Sequence, residues 1–194
     1  MTTAERIKSR FSRSNLIELF LAVAFPIHAW SIFGVLRDVD TVVNRTDAWD
    51  AVGVGAYSLV FAFIETSILL LFFMILSLLL PFDWGERKIK AEISGLYYVF
   101  AFWAVCGQAF FMFKKFPPLV ERGIRFIQAN QWPFFVLLII IVIASFLLPL
   151  WRVYASKKAE AFVLKVNENV MLLSILYIFL DLIGFVIMVI RNIA

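Results

Sequence analysis

A single cysteine, Cys106, and a single histidine, His28, are the only soft or borderline metal ligands of their kinds in 194 residues. One cysteine excludes an internal disulfide, a CxxC redox pair and a thiolate metal cluster, and one histidine excludes a bis-histidine haem within one chain. The phosphate-cradling GxxxxGK[ST] loop and the zinc-binding HExxH helix are both missing. Gly53 and Gly55 form a GxG without the third glycine or the preceding strand of a dinucleotide fold, and read as helix-contact or helix-entry positions. No cofactor is therefore expected. Charge is scarce as well: only 16% of residues are Asp, Glu, Lys or Arg.

What replaces them is apolar. The chain is 63% hydrophobic and 17% aromatic, with a mean hydropathy of +0.92, which lies outside the range of soluble domains. A hydrocarbon core about 30 Å thick needs roughly 20 apolar residues in a helix. Five stretches qualify: residues 15–36, 51–82, 93–113, 132–151 and 168–190. They are continuous and rich in Leu, Ile, Phe and Val, whereas a membrane β-barrel alternates polarity in short segments. The expectation is an all-α, polytopic membrane protein: a single domain over residues 1–194, built as a five-transmembrane-helix bundle with short loops. No polar segment between spans is long enough to fold as a separate soluble domain.

The opening MTTAERIKSRFSRSN sets Ala4, Ile7 and Phe11 at helical spacing among Arg6, Lys8, Arg10 and Arg13. This pattern predicts an interfacial amphipathic helix whose four basic residues meet anionic lipid. AVA at 22–24 mimics a signal-peptidase site, but Glu18 interrupts the apolar run before it, so a retained first span is expected. Arg87, Lys88 and Lys90 precede the third span, and Arg152, Lys157, Lys158 and Lys165 precede the fifth. With the N-terminal basic residues these outnumber the basic residues on the opposite side, so the N-terminus is expected in the cytoplasm and the C-terminus outside; the membrane is expected to be a cytoplasmic or plasma membrane. After Pro117 and Pro118 an amphipathic turn is expected, with Leu119, Ile124 and Ile127 toward lipid. Pro81 and Pro149 are expected to close the second and fourth spans. The segment ASKKAEAFVLKVNEN has no Gly or Pro to stop it, so the fifth helix should project beyond the membrane.

Three ionisable residues interrupt the spans at depth. At about 1.5 Å per residue, His28 and Asp181 lie roughly 15 to 20 Å from the cytoplasmic ends of their spans, and Glu65 a little further. Such residues are functional candidates that pair with one another; the alternative is that Glu65 and Asp181 stay protonated and serve only as neutral hydrogen-bond donors to Ser, Tyr or carbonyl partners. On a helical net Glu65 shares a small, polar stripe with Val54, Ser58 and Ala62, the kind of face another helix packs on, so Glu65 is expected to face Asp181 or another polar seam. In the fifth span Asn167, Ser174 and Asp181 recur every seven residues, with Tyr177 and Gly184 in the same seam. In the third, Ser94, Tyr97, Ala101, Ala104 and Gln108 align; in the first, Ala24, His28 and Ser31 do, beside Pro26. The candidate intramembrane site is therefore His28, Glu65, Asp181, Gln108, Ser174 and Tyr177, with no catalytic or metal-binding residue assigned. Spans one, two, three and five should surround it, and span four should pack outside.

Three function classes follow. Short loops, missing catalytic motifs and 22 Phe residues favour a structural or interaction role, such as a subunit or assembly partner of a membrane complex. Midplane carboxylates permit a proton- or cation-coupled transporter or channel. One His with two carboxylates is also a set that an intramembrane metal-dependent enzyme uses. Just outside the first span, the RDVD at Asp38 and Asp40 resembles in placement the acidic DxD of multi-spanning lipid-linked-sugar glycosyltransferases. Those proteins have many more spans, so no activity is carried over, and Asp38, Asp40, Asp47 and Asp50 are read as a solvated outer loop. The expected partners are membrane lipid and other membrane proteins or a second copy of the chain, with no nucleic acid.

Overall fold

Inside a bilayer the backbone has no water to bond to, so long runs of Leu, Ile, Phe and Val close their hydrogen bonds within helices. The computed structural model describes residues 11–81, 84–112, 118–129 and 131–193. Among them every regular element is a helix: α1 (Arg13–Arg45), α2 (Ala48–Ser77), α3 (Glu86–Met112), α4 (Pro118–Ala129), α5 (Gln131–Ala155) and α6 (Lys157–Ile193). All but α4 are long and apolar enough to cross a membrane. The all-α bundle with five candidate spans is thus the fold, and it fits a multi-pass membrane protein. Of the N-terminal amphipathic segment, Arg6, Lys8 and Arg10 lie outside the described residues. Arg13 opens α1, whose N-cap Ser12 accepts a bond from the Asn15 amide at 3.4 Å.

Several boundaries differ from the sequence expectation. The first helix does not stop near residue 36; it runs on to Arg45, because nothing after Gly34 breaks it. Asp38 and Asp40 therefore sit on helix rather than in a loop, with Arg37 forking onto Asp38 at 2.8 and 2.6 Å. Asp47 is an N-cap, accepting from the Asp50 amide at 2.7 Å, so only Thr46 and Asp47 separate α1 from α2. Pro149 does not close α5, which continues through it to Ala155. Ser156 alone joins α5 to α6, and its hydroxyl accepts from the Ala159 amide at 3.4 Å. Pro81, in contrast, follows the turn that ends α2. The expected amphipathic turn is the helix α4; Ile127 is exposed on it, while the side chains of Leu119 and Ile124 lie outside the description.

Packing is centred on α1, α2 and α6, which pair with one another, while α3 bridges α1 and α6, and α5 packs mainly on α3 and α6. The apolar core gathers Leu19 and Val23 of α1, Phe73 of α2, and Ile89, Ile93 and Tyr97 of α3. Phe73 meets Tyr97 edge-on, with ring centroids 5.4 Å apart. Gly184 lets α6 pack close against the α2 backbone: a Cβ there would lie 3.1 Å from the Ala56 carbonyl oxygen and 3.3 Å from the Leu59 Cβ. The two ends are held by charge. Near the N-terminal end Glu18 pairs with Lys90, and Arg87 with Glu160 at 2.8 Å. Lys88 there lies over the rings of Trp84 and Tyr154. At the other end Arg191 bonds the Asp50 carboxylate at 2.7 Å and the Trp49 carbonyl.

Candidate intramembrane polar site

Pro26 lacks the N–H that an interior helical residue donates to the turn before it, and its ring crowds that turn. Two carbonyls there accept side-chain bonds: Val23 from the Tyr97 hydroxyl at 2.6 Å, and Ala24 from His28 Nδ1 at 2.8 Å. Because a carbonyl only accepts, Nδ1 must carry a hydrogen. The other ring nitrogen, Nε2, faces both carboxylate oxygens of Asp181, at 2.9 and 3.0 Å. One proton therefore lies between Nε2 and Asp181. Whether it is written as imidazolium with carboxylate or as imidazole with carboxylic acid, the pair has no net charge. His28 is fully buried and Asp181 is 7% exposed. Tyr177, one turn before Asp181, stacks on the imidazole with its ring centroid 5.6 Å away and its plane tilted by 10°.

The seven-residue seam on α6 is a buried stripe: Asn167, Ser174, Asp181 and Gly184 all face inward. Asn167 accepts from the Tyr98 hydroxyl at 2.7 Å, linking α6 to α3. Ser174 is buried but donates to the Val170 carbonyl of its own helix at 3.0 Å, so its hydroxyl adds no cross-helix bond. His28, Asp181 and Tyr177 thus come together, with Ser174 further along the same seam.

Glu65 and Gln108 are elsewhere. The stripe assigned to Glu65 from the sequence does share one face, since Val54, Ser58, Ala62 and Glu65 all line one cavity against α1, but it is closely packed only at Ala62: Ala62 and Thr66 are buried, whereas Val54 and Glu65 are exposed. Glu65 does not bond Asp181, and it has no hydrogen-bond or ion-pair partner among the described residues. The reason is angular. From Ala62, the residue four further on stays closer to the packed face than the residue three further on, and the polar partner chosen at that level is the hydroxyl of Thr66, which returns to the Ala62 carbonyl at 2.7 Å. Glu65 instead lines two lateral cavities, one between α1 and α2 and one where α3 joins them, the second shared with Gln108. The α3 seam is likewise packed at Ser94 and Tyr97 and exposed at Ala104 and Gln108. Among the described residues no three of His, Cys, Asp and Glu gather closely enough to hold a metal ion.

One residue escaped the sequence reading. Glu92 is 1% exposed, and neither of its carboxylate oxygens meets a hydrogen-bond partner among the described residues; the neighbouring Ser94 hydroxyl is in the same position. Starting the third span at residue 93 left Glu92 at the membrane boundary as an ordinary interfacial charge. The signal available was its flanking by Ala91 and Ile93, in a helix that is buried on all sides from Ala91 to Ser94.

Fold and site together define an α-helical, multi-pass membrane bundle with a closed histidine–aspartate contact between its first and last spans. No family model, curated protein or solved structure matches the chain.

Proposed function

We propose that this chain is a structural or interaction component of a membrane complex, working through contact with other membrane proteins or a second copy of itself. The observation that carries this reading is the His28–Asp181 contact. Every polar atom of the imidazole is used, the pair has no net charge, and it ties α1 to α6. A transport site needs a group that exchanges its partner for an ion or water; here the deepest ionisable pair is committed to holding helices together. The bundle is then a preformed frame, further fixed at both ends by Glu18–Lys90, Arg87–Glu160 and Asp50–Arg191. On its flank α5 has no buried residue across its most apolar window, leaving an extended face of Leu, Ile and Val for neighbours in the membrane. The N-terminal end, with the Ser156 junction, faces the cytoplasm in this reading, by the excess of basic residues there.

The test is thermal unfolding of the purified full chain across a panel of inorganic cations, beside native mass spectrometry of the protein extracted in mild detergent. A ligand that binds only the folded state raises the melting temperature. The expected result is a stoichiometric complex with another membrane subunit or a second copy, no cation-specific stabilisation of the wild type, and an equal loss of stability for Asp181→Asn in every salt. A monomer stabilised by one cation only while Asp181 is intact would make the pair an ion site and overturn the reading.

A further inference from the structure

Trp30 and Ser31 of α1 and Glu65 of α2 line both lateral cavities, so these three residues form the waist between a larger chamber of about 350 Å³ and a smaller one of about 170 Å³. The larger is walled by α1 and α2. The smaller adds Tyr97, Phe100 and Gln108 of α3. Of the acids facing this space, Asp38 is already neutralised by Arg37, and the Tyr97 hydroxyl is committed to the Val23 carbonyl. Glu65 has no partner among the described residues. A carboxylate facing lipid at the middle of a span costs about 2.5 to 3.5 kcal/mol on insertion scales, a cost that a cation beside it would offset.

The walls say which kind. A hard metal ion takes six or more oxygens, and the waist supplies one carboxylate and one hydroxyl. An organic ammonium needs a single counter-charge and π faces to lie against, and Trp30 is the strongest such face among the side chains, with Tyr97 and Phe100 beyond it. The remaining lining, Val35, Val39, Val54 and Leu69 among it, suits an apolar body. We infer that the Glu65 waist binds a lipophilic organic ammonium, its cationic head between the Glu65 carboxylate and the Trp30 indole and its apolar body in the flanking chambers. Because Glu65 is exposed at the side of the bundle, the ligand arrives from the lipid-facing flank. The site is independent of the His28–Asp181 contact and requires no transport.

The experiment is equilibrium binding of radiolabelled benzyltrimethylammonium to the full chain in phosphatidylcholine nanodiscs, with protein-free nanodiscs as background. Saturable binding at one site per chain is expected, undisplaced by neopentylbenzene, which has the same shape with carbon in place of the charged nitrogen. Glu65→Gln should weaken it by about tenfold or more, and Trp30→Leu by about threefold, the scale of one exposed cation–π contact. Asp40→Asn, an exposed acid outside both cavities, should bind like the wild type. If Glu65→Gln fails to give a wild-type circular dichroism spectrum, Ser31→Leu is decisive instead: it fills the waist while leaving the carboxylate, and must also abolish binding. Absence of saturable binding, equal displacement by neopentylbenzene, or undiminished binding by whichever variant folds overturns the proposal. So does a partner helix cross-linking to position 31 or 58 in a protein that binds no ammonium.

Discussion

His28 and Glu65 lie about a turn apart in level along the bundle, since Ser31, the residue one turn after His28, shares cavity walls with Glu65. Their surroundings could hardly differ more. His28 has no exposed surface and spends both ring nitrogens on fixed partners, while Glu65 is exposed and has none among the described residues. Removing water from a charge is tolerable where geometry supplies compensating bonds, and the histidine–aspartate pair obtains these by sharing a proton and borrowing a carbonyl beside Pro26. Glu65 has no such compensation among the described residues. One site is finished by folding, and the other is left open at the side of the bundle.

The largest effect should come from opening the finished site. Asp181→Ala strands Nε2 of a fully buried imidazole, and hydrogen bonds involving charged groups contribute about 1.5 to 3 kcal/mol. A loss of that size is expected in reversible denaturation of the detergent-solubilised protein. His28→Leu should cost a similar amount by stranding the carboxyl. The double variant His28→Leu/Asp181→Leu should cost clearly less than the two single losses combined, because removing both partners leaves nothing unsatisfied. Additive losses would mean that the two side chains act separately, and would dissolve the contrast with Glu65.

Next in size is the helix contact that brings Asp181 to His28. Gly184→Leu must find space where even a Cβ would lie 3.1 Å from the Ala56 carbonyl oxygen, and overpacking of this kind costs about 1 to 3 kcal/mol. Because displacing α6 at Gly184 also draws Asp181, one turn earlier on the same helix, away from His28, its effect should add to that of Asp181→Ala only in part. Glu92 extends the comparison with the opposite sign. It is as buried as His28 and as unpartnered as Glu65, so replacing it by an apolar side chain of similar volume should help. Glu92→Met is expected to raise stability by about 1 kcal/mol, measured in the same denaturation series. A destabilised Glu92→Met protein would show that the carboxyl has a partner in the native membrane.

Much of this arrangement was legible beforehand, and the limits are physical. Span number follows from hydrophobic length alone, because lipid leaves the backbone no other way to satisfy itself. The α6 seam was legible since Asn167, Ser174 and Asp181 repeat every seven residues, a spacing that keeps one side of a helix. The stripe of Val54, Ser58, Ala62 and Glu65 does line one cavity, yet the exposure of Glu65 was not legible because the same rule has a tolerance of a residue: Ala62 sits on the packed face, and whether Glu65 or Thr66 follows it into burial depends on how α2 is rolled against α1 and α6. That roll is set by contacts such as Gly184 on Ala56, which join residues far apart in the chain. The long α1 was missed for a different reason. Asp38 and Asp40 read as loop by polarity, yet polarity does not break a helix, and between Gly34 and Arg45 there is no residue that does. Glu92 was missed since a carboxylate at the start of a span reads as an interfacial charge, and its burial depends on how α3 packs.

The smallest expected change in stability sharpens the comparison most. Glu65→Leu removes a carboxylate that forms no bond within the described chain, so the folding free energy should stay within about 0.5 kcal/mol of wild type, as for other exposed positions without partners. The equivalent change at Asp181 should cost several times more. The measurement is a paired denaturation series for Glu65→Leu and Asp181→Leu in the same detergent. A large loss at Glu65 would mean that its carboxyl is already bonded within the bundle, and the cavity waist would then lack the free counter-charge that an ammonium requires. A near-neutral Glu65→Leu protein that has also lost benzyltrimethylammonium binding would separate the two roles: Asp181 holds the helices together, and Glu65 is kept for a ligand, at no benefit to the fold.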